Sequence, residues 1–199
     1  VAESKPGPVI PQRYIDALGG EDPIDSMKKA PARLAKLVDG LSEKQLTRKP
    51  APGKWSIKEI VAHLADGEAV LGFRYRFVAG QDKPVIQGYD QDAFVEKLGV
   101  EKVKTKELLE DFDRLRKANV NLLKRLPKEA LDRFGIHSER GEESIRKMIT
   151  MYAGHDRIHF QQVETIRVGL FSAKKAAKKV EKADVKKAVK KDGKKTSKK

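Results

Sequence analysis

Four histidines, His63, His137, His155 and His159, set the limits of the metal chemistry open to this chain, because it contains no cysteine. That absence removes disulfides, thiolate ligands and a cysteine nucleophile together, so a metal site must be built from imidazole and carboxylate. His155 and His159 are four residues apart in a segment patterned as helix. At 3.6 residues per turn, two such side chains stand on one face and can aim at one point, as the paired histidines of zinc-binding helices do. His63 lies in the apolar run Ile60-Val61-Ala62-His63-Leu64-Ala65, where an imidazole without a partner is costly to bury. If the two helices are neighbours, the three rings form one face of a coordination sphere. The remaining positions are then left to water or substrate, as in a catalytic rather than a structural site.

Metal-bound histidines usually donate their second ring N–H to a carboxylate or an amide. Asp66, three residues after His63, and Gln162, three after His159, are in reach along the helix faces, whereas Asp156, adjacent to His155, is expected to point away. Spacing alone leaves a second reading open, in which the pair and His63 are separate core or surface histidines. His137 falls in a connector and reads as structural, and Trp55 as a packing residue. Arg74, Arg76, Arg140 and Arg157 either meet an anionic substrate or sit on solvated helix faces.

These residues need elements to hold them. Pro6, Pro8, Pro11, Gly19, Gly20 and Pro23 predict an extended lead-in over residues 1–23, with one short turn near Tyr14 to Leu18. A first helix follows from Asp25, with Pro31 either kinking it or lying in its first turn. Leu41 to Lys54 reads as a loop. Ser56 followed by Glu59 is a capping box, and Trp55 with Ile60 has the spacing of a hydrophobic staple, so a second helix starts here and runs to Gly80. Gln81 to Gly99 reads as a long loop. A third helix spans roughly Lys104 to Leu126, stopped by Pro127, and a fourth runs from about Glu142 to Gly169. Four amphipathic segments without a strand of comparable length predict an all-α four-helix bundle over residues 24–171.

Three stretches carry a resemblance to a known family: Gly53-Lys54-Trp55-Ser56-Ile57-Lys58-Glu59-Ile60-Val61-Ala62-His63-Leu64-Ala65-Asp66, then His137-Ser138-Glu139-Arg140-Gly141-Glu142-Glu143-Ser144-Ile145, and His155-Asp156-Arg157-Ile158-His159-Phe160-Gln161-Gln162. Across roughly residues 25 to 170 the chain resembles the DinB-like, YfiT-like superfamily of metal-binding four-helix bundles, distinct from the DNA polymerase that shares the DinB label. The resemblance implies a three-histidine divalent metal site on His63, His155 and His159, holding one zinc, nickel, iron or manganese ion. It also implies a small-molecule substrate and either thiol-dependent S-transfer or hydrolysis. Both chemistries suit an open metal position, because a Lewis acid makes thiolate or hydroxide available near neutral pH. Any low-molecular-weight thiol must arrive as a substrate. A homodimer is one assembly the family forms.

The charge is uneven. Lys and Arg total 43 against 29 Asp and Glu, a formal +14, and residues 172–199 hold 13 lysines against Glu181, Asp184 and Asp192. The body is therefore close to balance. The Lys/Ala-rich tail is expected to be disordered free in solution, because like charges repel along it. With no aromatic residue and no arginine, it suits nonspecific contact with nucleic acid phosphates rather than sequence reading. The alternative function is thus a DNA-associated or stress-related protein without catalysis. No apolar run approaches a membrane span, and a cytoplasmic location is expected.

Overall fold

The computed structural model describes residues 10–193, with side chains as far as Phe171. Its helices are α1 (Gln12–Leu18), α2 (Pro23–Val38), α3 (Glu43–Leu46), α4 (Ile57–Gly80), α5 (Gln91–Lys97), α6 (Thr105–Arg125) and α7 (Ile145–Gly193). Three short strands, β1 (Val85–Ile86), β2 (Phe134–His137) and β3 (Gly141–Ser144), form one sheet in which β1 pairs parallel to β2 and β2 antiparallel to β3. No helix among the described residues is long and apolar enough to cross a membrane.

Local chemistry accounts for the helix starts. The Ser56 hydroxyl accepts the Glu59 N–H at 3.2 Å while the Glu59 carboxylate accepts the Ser56 N–H at 2.7 Å, closing the capping box ahead of α4. Asp22 caps α2 by accepting the Asp25 N–H at 2.9 Å, and Pro23 occupies the first turn, where no N–H is needed. The chain then departs from expectation in the connectors. The presumed loop between Leu41 and Lys54 holds α3, and that between Gln81 and Gly99 holds β1 and α5, elements too short to show a period. The last long helix begins at Ile145 rather than Glu142, because Glu142 to Ser144 pair with β2. Where a disordered tail was expected from Ser172, helical backbone continues to Gly193. Ala and Lys are good helix formers, and extending an existing helix requires no new nucleus. Of the expected lead-in, residues 1–9 lie outside the described residues, as do residues 194–199 of the tail.

The core is split in two. One apolar cluster gathers Met27, Leu71, Tyr75, Val120, Leu123 and Met148; the other gathers Leu34, Ile60, Leu64, Phe112, Phe160 and Val163. Each long helix passes from one to the other. α2 and α7 enter through the first cluster, and α4 and α6 through the second, so α4 and α6 point the same way. The link between them must therefore return the length of the bundle, and residues 81–104 do so carrying β1 and α5. α4 packs on α6 and α7, and α2 packs on the same two, closing the four-helix bundle.

Between the clusters lies a polar waist. Arg116 of α6, buried, places one nitrogen 2.7 Å from Asp156 of α7 and another 2.7 Å from Glu68 of α4. It also donates to the Met27 carbonyl of α2 at 3.1 Å. That carbonyl is available because Pro31, inside α2, has no N–H to return to the residue four before it. Burial disfavours the Asp156 carboxylate, but Arg116 beside it, with His155 adding, holds its carboxyl below the usual range.

Candidate metal centre

His63 projects from α4 and His155 and His159 from α7, and the three meet at the waist. The Nε2 atoms of His63 and His159 each stand 3.1 Å from the Nε2 of His155, and all three lie within 4.8 Å of one another. Helix period and bundle packing are sufficient causes: His155 and His159 share a face one turn apart, and α4 runs antiparallel beside them.

The ring nitrogens show what the cluster lacks. A neutral imidazole nitrogen offers one N–H or one lone pair, so His155 Nε2 can satisfy one of its two close neighbours by hydrogen bonding, not both. A cation that accepts all three lone pairs satisfies the set. Nitrogens bound to a metal at about 2.0–2.1 Å stand roughly 2.9 to 3.4 Å apart, depending on the bond angle, and the observed contacts fall inside that span. His159 Nδ1 lies 3.1 Å from the Gln162 amide oxygen, which accepts an N–H and so leaves the lone pair on Nε2, facing the cluster. Burial pushes the His63 ring down to about 2, with His155 and His159 adding to the effect. Burial and His155 push His159 down to about 4, against a smaller opposing contribution from Gln162. Both rings are therefore neutral at pH 7, the form that ligates.

The neighbours of the cluster partly follow expectation. Gln162 is where the spacing placed it. Asp66 is partly buried and makes no hydrogen bond to His63 among the described residues; burial raises its carboxyl. Asp156, expected to point away, is buried against Arg116, and its Oδ1 comes within 3.9 Å of His155 Nδ1, an atom with no hydrogen-bond partner. Trp55 packs in the apolar cluster with Ile60 as a staple should, yet its ring centroid is also 4.8 Å from that of His63 and 6.2 Å from that of His159. It shields one side of the cluster. His137 stays apart, its Nδ1 accepting the Glu139 N–H at 3.1 Å.

The open side is a cleft of about 510 Å³ that reaches His155. Tyr14 and Tyr152 flank that ring, with centroids 6.2 and 5.6 Å away. Tyr14 arrives on α1, which crosses α7 at Gly154, where a Cβ would collide with the Tyr14 carbonyl. Arg74 and Arg140 also line the cleft, whereas Arg76 turns to the Gly72 carbonyl and Arg157 to that of Ala17. The sequence reading missed Tyr14, Tyr152 and the role of Asp156. Only the i, i+3 distance of Tyr152 from His155 hinted at any of them.

A bundle with three imidazoles meeting at its waist defines a metal-binding class of helical protein, and the family follows: residues 26–163 match the DinB superfamily, to which this chain belongs. A Bacillus cereus (strain B4264) protein named "Putative metal-dependent hydrolase" is 29% identical over 144 residues, covering 72% of this chain and 83% of its own. A Bacillus mycoides protein of the same description is 28% identical over the same shares. Among solved structures, YfiT from Bacillus subtilis, described as "a probable metal-dependent hydrolase with an unusual four-helix bundle topology", superposes with a TM-score of 0.69 at 21% identity, covering 85% of this chain and 95% of that one. The mycothiol-dependent maleylpyruvate isomerase superposes with a TM-score of 0.58 at 9% identity, over 72% of this chain and 60% of that one. The family and the histidine cluster together mark a metal-binding protein.

Proposed function

We propose that His63, His155 and His159 hold one divalent transition metal through Nε2 and that the protein is a metal-dependent hydrolase of small molecules. The observation that carries this is His155, whose Nε2 faces two other ring nitrogens at 3.1 Å and whose side chain lines the cleft. The metal, when bound, supplies a Lewis acid that lowers the pKa of a bound nucleophile. The protein residues do the rest. Gln162 fixes the His159 tautomer, and Trp55 keeps water from the closed side. Tyr14 and Tyr152 frame the approach to His155, and the cleft is of a size suited to a metabolite rather than a polymer. The names of the relatives support hydrolysis over thiol transfer. With no cysteine in the chain, a thiol-dependent reaction would need the thiol as a second substrate. The lack of cysteine also suits a cytoplasmic setting.

The test is metal content per chain after purification without chelator, for the wild type and a His155→Ala/His159→Ala variant. About one metal in the former and none in the latter is expected. Failure to take up zinc, nickel, iron or manganese on reconstitution would overturn the reading. Rate dependence on added thiol then separates transfer from hydrolysis. A second activity rests on charge: residues 172–199 carry 13 lysines against three acids and would bind nucleic acid without sequence preference. Deleting them should abolish salt-sensitive DNA binding and leave metal content unchanged.

A further inference from the structure

Six charged side chains are buried among the described residues, and five have an opposite charge beside them. Lys58 pairs with Glu43 at 3.1 Å, Arg116 with Glu68 and Asp156, and Glu143 with Arg140 at 3.0 Å. Arg74 is the exception. It is 2% exposed, and its guanidinium meets only neutral groups: the Tyr152 hydroxyl at 3.0 Å, the Gln87 carbonyl at 2.8 Å, and His137 Nε2 at 3.4 Å. No carboxylate pairs with it among the described residues. A buried guanidinium cannot shed its proton, so its charge stays uncompensated unless an anion comes to it.

Arg74 lines the cleft that reaches His155, and it does not stand alone there. Lys147 of α7, partly buried, lines the same cleft and donates only to the Glu142 carbonyl, again without a carboxylate partner. Arg13 on α1 borders it from a third side. Of the acids that also line it, Asp90 is turned to its own helix, accepting the N–H groups of Asp92 and Ala93 at 3.0 Å. Glu139 remains, against Arg74, Lys147 and Arg13, since the fourth cation of the cleft, Arg140, is paired with Glu143. Burial lowers the Lys147 ammonium, and the neighbouring Glu143 and Glu142, neither of them within ion-pair distance, do not offset it.

The geometry points to a small organic anion as the ligand, its carboxylate or phosphate held by Arg74 and Lys147. Tyr152 joins this end of the cleft to the other: its hydroxyl accepts from Arg74 and its ring lies beside His155. An anion seated on the two cations therefore places the rest of its skeleton toward the three-histidine cluster. The reacting end rests on the metal reading given above; the anion site itself does not.

The two can be tested apart. Succinate, inorganic phosphate and uncharged succinamide are titrated into the full chain at constant ionic strength, metal-free and metal-loaded, following Tyr ring resonances by NMR. The lysine tail is common to every variant, so differences between variants report the cleft. Saturable binding of succinate or phosphate with perturbed Tyr152 signals is expected. Weakening of about tenfold in Lys147→Met and in Arg74→Met is expected as well, with no saturation by succinamide. Because Arg74→Met could disturb Tyr152 and Gln87, Lys147→Met and the charge-retaining Arg74→Lys keep the test decisive. Equal affinity in wild type and Lys147→Met, or equal binding of diacid and diamide, would overturn the inference. Anion binding in a protein that takes up no metal would leave the inference standing and remove the hydrolase reading; metal uptake without anion discrimination would do the opposite. Preference between succinate and phosphate identifies the acid group.

Discussion

At the waist of the bundle Arg116 lies between two carboxylates, while His155, beside Asp156 in the chain, lies between two other imidazoles. Both clusters are polar and enclosed by the same two apolar cores, but they are balanced differently. The first contains its own counter-charges and even a surplus, one guanidinium against two acids. The second contains only nitrogen, with lone pairs converging and nothing of opposite charge among them. The first cluster pairs its cation from within the fold; a cluster of like groups is paired only by a guest. Asp156 joins the two, so the surplus negative charge of one lies 3.9 Å from a ring of the other. That placement favours a cation at the histidines without adding a carboxylate to the coordination set.

The comparison can be broken most forcefully at Arg116. Arg116→Met strands Glu68 and Asp156 without a counter-charge and should cost about 3–5 kcal/mol of stability in urea unfolding. Adding Glu68→Gln and Asp156→Asn should restore much of the loss. A single variant as stable as wild type would show that the two acids do not depend on Arg116 for their counter-charge.

Acid should separate the clusters next. In the metal-free protein the unfolded chain protonates His63 and His159 near the ordinary 6.5, but the folded chain resists until about 2 and about 4. The unfolded state then binds more protons, so stability should be level above pH 7 and fall steadily from pH 6.5 toward 4.5. His63→Phe should flatten part of that slope, and an unchanged slope would contradict the assignment. Gly154→Ala acts on the open side of the histidine cluster. The new methyl displaces α1, with an expected loss of about 1–3 kcal/mol and faster proteolysis around Tyr14. Ser56→Ala touches neither cluster and sets the baseline, about 1 kcal/mol from the lost cap with metal content unchanged.

The parts of this arrangement legible in the sequence are those written in local code. Ser56 and Glu59 announce α4, and the spacing of His155 and His159 places two rings on one face. Gln162 follows the same rule. What escaped was tertiary. β1 and α5 are too short to show periodicity, and Glu142 to Ser144 look like a helix start until β2 pairs with them. Neighbouring residues on a helix diverge by about 100°, which turns Asp156 away from the cluster; that the rotation carries its carboxylate to Arg116 with one oxygen 3.9 Å from His155 Nδ1 is written in no local pattern. The cleft is built from α1, α4, the stretch from β1 into α5, the β2–β3 turn and α7, and no single stretch of chain contains it.

One side chain touches all four long helices at once. Arg116 rises from α6 and meets a carbonyl of α2, a carboxylate of α4 and a carboxylate of α7. The α2 contact exists because Pro31 leaves the Met27 carbonyl without its helical partner. None of these contacts is complete until every helix is in register, and a slip of one turn would part the guanidinium from its carboxylates. The middle of the bundle should accordingly open as a unit. Amides of α2, α4, α6 and α7 flanking the waist are expected to exchange with solvent at one common rate, slower than those toward either end.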